Sequence, residues 1–115
     1  MIAGWPELRA RALSLELPGV TEATSWNQPV LKAHGKLWTW WSPKVDAAVF
    51  KAGRDEAEML HAADPVTFLL HPHYIGHGLI LVAAGRLDAG WARSRLVSTW
   101  TAMAPMRVLK AWQAR

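Results

Sequence analysis

Apolar residues recur at helical spacing near the start of the chain. Leu8, Ala12 and Leu15 lie four and three residues apart, which places them on one face of a helix that begins at residues 5–7. Proline at position 6 suits the first turn of this helix, because its missing N–H would be unpaired there in any case. Residues 17–20 contain Pro18 and Gly19 and therefore predict the end of the helix and a reversal of the chain.

Short apolar runs of strand type follow the first helix. They span residues 29–34, 37–41 and 46–52. The first two runs predict a hairpin, with its turn at Gly35-Lys36. The preceding segment, residues 21–27, is mostly polar and predicts a loop that contains Trp26. Three consecutive strands after one helix are therefore expected in the first half of the chain.

Alternation within the second run predicts which large side chains share a face of the sheet. Trp38 and Trp40 are expected on one face. Leu37, Thr39 and Trp41 are expected on the other. One of these faces belongs to the core, and the other leaves aromatic rings to be covered by a helix or a partner.

A second helix and a loop rich in histidine follow. Gly53 is an acceptable N-cap with acids directly after it, and Asp64-Pro65 ends the helix. Two strands, residues 66–70 and 79–82, then flank residues 71–78, which hold three of the five histidines and the only tyrosine. Polar loops on a rigid scaffold are where function tends to lie, so this loop is a candidate site.

The C-terminal third predicts two further helices. Asp88 is suited to cap the first of them, and Ala92, Leu96 and Trp100 form its apolar stripe. Pro105 breaks it, and residues 106–113 predict a last short helix. The element order is α-β-β-β-α-β-β-α-α. Because the strands are grouped, it indicates an α+β fold, a two-layer sandwich in which an antiparallel five-stranded sheet packs against helices.

Composition narrows the class of protein. A chain of 115 residues, 51% of them apolar, is sufficient for one domain with a real core, expected over residues 1–115. The chain has no cysteine, no signal-peptide pattern and no apolar run long enough to span a bilayer, so we expect a cytoplasmic protein without a membrane partner. The net charge is +4, and residues 89–115 contain no acid. This balance favours an anionic partner, nucleic acid first, and a merely solvated basic surface is the alternative.

The residues that form turns and end helices resemble, in their order and spacing, those of the MmcQ/YjbR family of small bacterial proteins. The matching residues are Leu17-Pro18-Gly19-Val20, Pro29, Gly35-Lys36, Lys51, Asp64-Pro65, Pro72-His73-Tyr74, and Ala104-Pro105 with Arg107. The resemblance implies a two-layer sandwich similar to the secretion-chaperone and frataxin-like folds, and DNA binding through a double-wing arrangement. The chain departs from the family pattern at Met106, where a lysine is common, and at Leu79, where a tryptophan is common.

Positive charge and the family motifs together predict a set of nucleic-acid contacts. The set is Lys32, Lys36, Lys51, His73, Tyr74, Arg107 and Lys110. Cations at these positions would neutralise phosphates and release counterions. Tyr74, Trp38 or Trp40 would stack on unpaired bases.

The sequence is also compatible with other functions. A protein- or peptide-binding module of chaperone-like type, or a homodimer, is the alternative, because tryptophan is enriched at interface hot spots. A metal site at His71, His73 and His77 is not expected, since the loop has no acid and the spacing matches no closed zinc site. Neither an enzyme nor a cofactor is expected, because no motif pairs a nucleophile with a base.

Overall fold

Four helices pack on one side of a six-stranded antiparallel sheet in the computed structural model, which describes residues 1–115. The sheet order is β1-β2-β3-β4-β6-β5. The elements are α1 (Trp5–Ser14), β1 (Val20–Ser25), β2 (Gln28–Ala33), β3 (Lys36–Trp41), β4 (Ala47–Lys51), α2 (Arg54–Ala63), β5 (Phe68–Leu69), β6 (Leu79–Ala83), α3 (Ala89–Met103) and α4 (Met106–Gln113). This confirms the α+β class and the antiparallel sheet. None of the helices is long and apolar enough to cross a membrane.

The sheet has one strand more than predicted. Residues 21–27 were expected to form a loop, but Val20–Ser25 pairs with β2 along its whole length as the outermost strand. An edge strand whose side chains are mostly solvated carries no apolar alternation, so its sequence resembles that of a loop. The predicted turn at Gly35-Lys36 is also displaced by one residue, because Ala33 pairs with Lys36 and leaves His34-Gly35 as the two turn residues.

The helix face of the sheet holds the larger core. Its central side chains come from the sheet and from α3, and they include Trp38, Phe50, Leu96 and Trp100. Trp38 donates its indole N–H to Thr99 Oγ1 at 3.0 Å, which satisfies the polar atom of a fully buried ring. The predicted caps and breaks are confirmed here, since Asp88 accepts the Trp91 N–H at 2.8 Å and Pro105 separates α3 from α4.

The opposite side, which we call the loop face, is covered by residues 71–78 instead of a helix. Its buried side chains are Val30, Trp40, Ala47, Val49, Tyr74 and Leu81. Five of them come from β2, β3, β4 and β6, and Tyr74 comes from the loop. The sheet is therefore apolar on both faces, and a short segment of chain closes the second face.

A β-bulge in β3 overturns the predicted facing of the tryptophans. Leu31 pairs with Thr39 and Lys32 pairs with Leu37, so Trp38 is the extra residue between them. A bulge interrupts the alternation of side chains. As a result Trp38 packs in the helix-face core and Trp40 in the loop-face cluster, although simple alternation places them on one side.

Strand β5 is shorter than the predicted run of residues 66–70. The backbone N–H groups of Thr67 and Phe68 donate to the Asp64 carbonyl oxygen at 3.2 and 2.9 Å, and the Thr67 N–H also reaches Asp64 Oδ1 at 3.3 Å. These bonds hold residues 64–67 in a turn, so only Phe68–Leu69 remains to pair with β6. The Thr67 hydrogen bonds lower the pKa of the Asp64 carboxyl.

An ion pair joins α2 to α3. Arg95 donates from both terminal nitrogens to the two carboxylate oxygens of Glu56, at 2.8 and 2.9 Å. The guanidinium also lies 5.0 Å from the centre of the Trp91 ring. Hydrogen bonding to Arg95 lowers the pKa of Glu56 below its ordinary 4.5.

Glu56→Gln should lower the free energy of unfolding by about 1 kcal/mol at pH 7. An ion pair that is partly buried and has two hydrogen bonds contributes more to stability than an exposed ion pair. A carboxyl whose pKa is lower in the folded state stabilises the protein above its unfolded pKa and loses that contribution as the pH falls through the folded pKa. The difference between Glu56→Gln and wild type should therefore shrink below about pH 4. Urea unfolding between neutral and acid pH measures it. Glu58→Gln, which removes the exposed pair with Arg54, is the matched control, and an equal effect of both variants would contradict the prediction.

Candidate functional site

A cavity of about 370 Å³ opens on the loop face, where the β1–β2 turn meets β3, β4, β6 and the loop of residues 71–78. Its lining comprises three aromatic, three basic and two aliphatic residues: Trp26, Trp40, Tyr74, Lys51, His73, His77, Leu37 and Leu79. We call it the aromatic cavity. None of these residues is acidic, so no carboxylate in the lining opposes an anion.

The loop that closes this face is folded by its own backbone. The N–H groups of Tyr74 and Ile75 both donate to the His71 carbonyl oxygen at 2.9 Å. The His77 N–H then donates to the Tyr74 carbonyl oxygen at 3.1 Å. Gly78 has φ of +68°, a conformation that glycine adopts without strain, and this lets the chain turn back into β6.

Tyr74 anchors the loop to the sheet. Its ring is 4% exposed, and its hydroxyl lies 2.7 Å from Ser42 Oγ. Ser42 Oγ in turn accepts the N–H groups of Lys44 and Val45 at 2.9 and 3.3 Å, so one hydroxyl pair joins the loop to the β3–β4 connection. The His73 ring stands edge-on to Tyr74 with 4.8 Å between the ring centres. The position of His73 therefore depends on Tyr74.

Trp26 forms the outer rim of the aromatic cavity. It is 62% exposed, and its ring centre lies 5.7 Å from that of Trp40. Trp26 and Asn27 are the two turn residues between β1 and β2, with φ of +53° and +59°. Both angles are those of a type I′ turn, for which asparagine and glycine are the favoured residues. A tryptophan at the first of these positions is unusual, so the turn is not optimised for stability there.

Trp40 forms the inner wall of the aromatic cavity. It is 3% exposed, and its indole N–H is buried without a hydrogen-bond partner. The sequence predicts base stacking by Trp38, Trp40 or Tyr74, but all three side chains are buried. The exposed ring is that of Trp26.

The structure brings together part of the predicted contact set. Lys51, His73 and Tyr74 line the aromatic cavity, and Lys32 lies on the same face, because it pairs with Leu37 of the lining. Lys36 instead pairs with Ala33 of the helix-face core.

The other two predicted contacts lie elsewhere. Arg107 and Lys110 are exposed on α4, in the helix layer. The contact set is thus divided between the two sides of the sheet.

Apart from the aliphatic Leu37 and Leu79, two residues of the lining belong neither to the predicted contact set nor to the predicted stacking residues. They are Trp26 and His77. Trp26 lies in the segment that the sequence predicts as a polar loop, and the solvated strand before it carries no apolar alternation that would mark Trp26 as a hairpin tip. For His77 the sequence suggests no role other than that of a metal ligand. No three His, Cys, Asp or Glu side chains lie close enough to hold a metal ion, and the His71 Nδ1 accepts the His73 N–H at 3.0 Å.

Comparison with protein families identifies the chain. The family model YjbR matches residues 15–102. The chain belongs to the YjbR family. This confirms the resemblance drawn from the turn and break points. Comparison with curated proteins and with solved structures gave no significant match.

The YjbR match also divides the contact set. All residues of the aromatic cavity lie within the matched range, whereas Arg107 and Lys110 follow its last residue. The matched range therefore contains the whole cavity and ends before α4.

Proposed function

We propose that this YjbR-family protein binds DNA, without catalysis, through the loop face of its sheet. The observation that carries the proposal is the aromatic cavity, which gathers Lys51, His73 and Tyr74 in a lining free of carboxylates. Three residues predicted from the sequence alone as DNA contacts thus lie together at one concave site. Concave sites with a few convergent polar groups are the usual places for ligands.

Charge and shape on the loop face fit a polyanion. Lys32 and Lys51 lie on this face, and the exposed imidazoles of His73 and His77 stand at the cavity mouth. The net charge of +4 attracts a polyanion at long range. Each lysine that contacts a phosphate releases counterions and makes the affinity dependent on salt. Two lysine contacts correspond to a slope of about −1.4 to −1.8 in a plot of log K against log salt.

Fluorescence anisotropy with labelled oligonucleotides tests the proposal. Affinity should fall about tenfold as salt rises from about 50 to 200 mM. Lys51→Gln should weaken binding and make the slope shallower by about 0.7–0.9, because one phosphate contact is lost. Lys110→Gln is the matched control, since it removes the same charge from α4 in the helix layer. Its affinity and slope should equal those of the wild type.

Two results would contradict the proposal. Absence of binding at low salt removes DNA as the partner. A shallower slope for Lys110→Gln, with Lys51→Gln unchanged, moves the interface to the helix layer.

A second candidate is supported by the edge of the sheet. β1 pairs with β2 on one side only, and its outer edge has no partner strand over Val20–Ser25. Such an edge offers unpaired backbone groups to an extended peptide or to the same strand of a second copy. Protein or peptide binding by strand addition becomes the leading function if the oligonucleotides do not bind.

A further inference from the structure

We infer that the aromatic cavity holds one unpaired base, stacked on Trp26, so that the DNA bound is single-stranded. The inference rests on the proposed function and deepens it. It depends on two observations that phosphate binding alone does not explain. These are the exposed, strained conformation of Trp26 and the size of the cavity.

Trp26 combines exposure with backbone strain. A large side chain at φ of +53° is sterically unfavourable, and asparagine would suit the turn better. The indole is 62% exposed, so its burial does not compensate for the strain. Strained conformations that persist are concentrated at binding sites. An exposed indole face beside cations is the arrangement on which unpaired bases stack in single-strand binding proteins.

The size of the cavity favours one nucleotide. A volume of about 370 Å³ lies at the lower end of the range for small-molecule sites. Bases within a duplex are stacked and paired, and extracting one costs free energy, whereas a single strand presents its bases directly. Lys51, His73 and His77 surround the same space and would lie next to the phosphates on either side of the base.

The test compares two 12-mers of equal charge, oligothymidine and an abasic strand with the same phosphates. Wild type should bind oligothymidine at least about fivefold more tightly than the abasic strand, because stacking adds to phosphate contacts. Trp26→Asn should bind the two strands equally. It should also fold at least as stably as the wild type, since asparagine suits the turn. Trp26→Phe, which keeps an aromatic ring, should retain most of the preference.

The outcomes separate this inference from the function on which it rests. Equal binding of both strands by the wild type, with Lys51→Gln still weakening both, overturns the base site and leaves DNA binding intact. Binding of neither strand overturns both. A Trp26→Asn variant that keeps the preference for oligothymidine assigns stacking to another ring and also overturns the inference.

Discussion

Trp100→Ala should lower the free energy of unfolding by about 3–5 kcal/mol, the largest loss expected from any substitution discussed for this protein. Trp100 is fully buried in the helix-face core. Its indole N–H donates to the Pro18 carbonyl oxygen at 2.8 Å, and its ring lies 4.9 Å from the rings of both His34 and Trp112. One side chain thus joins α3 to the α1–β1 connection, to the β2–β3 turn and to α4.

The loss has two parts that a second variant separates. Alanine removes the ring and leaves a cavity, and it also leaves the Pro18 carbonyl without its donor. Trp100→Phe keeps most of the ring volume and should lose roughly half as much. Urea unfolding followed by circular dichroism measures both variants. A free energy of unfolding for Trp100→Ala within about 1 kcal/mol of the wild-type value would contradict the prediction. It would show that the core collapses around the missing ring.

Tyr74→Ala should lower the free energy of unfolding by about 3 kcal/mol and weaken DNA binding at the same time. Tyr74 is the only side chain of the loop buried in the loop-face cluster. Without it the backbone that carries His73 and His77 loses its anchor on the sheet. The loop amides should then exchange hydrogen faster than in the wild type, because they open without global unfolding.

Tyr74→Phe is the matched variant. It retains the ring and removes only the hydroxyl that is hydrogen-bonded to Ser42. Ser42 Oγ still accepts the N–H groups of Lys44 and Val45. The expected loss is about 1 kcal/mol, with DNA affinity near that of the wild type. The anchoring role is wrong if Tyr74→Ala exchanges the Ile75 and His77 amides at the wild-type rate.

The helices and the central strands could be predicted because their signals are local. The stripe of Ala92, Leu96 and Trp100, the cap at Asp88 and the break at Pro105 all depend on residues within a few positions of one another. β1 was not predictable in the same way, because pairing with β2 defines it and its own side chains are solvated. The bulge at Trp38 likewise depends on the register with β2.

The candidate site was predictable only in part, for the same reason. Charge and family motifs pointed to Lys51, His73 and Tyr74, which lie together. The same reasoning pointed to Arg107, which lies on the opposite side of the sheet. The positions of charged residues in a sequence do not show on which side of the sheet their side chains lie. Trp26 is separated by 47 residues from His73 in the chain, and only the folded sheet brings the two to one cavity.

The two faces of the sheet are covered to different extents, so substitutions can change the cavity without changing the stability of the fold. Four helices seal one face, whereas eight residues with a single buried side chain seal the other. Substitutions at the exposed positions of that short cover alter the mouth of the cavity and leave the principal core untouched. Members of one lineage with this architecture are thus free to diverge in ligand preference while they keep the same fold and the same resistance to unfolding.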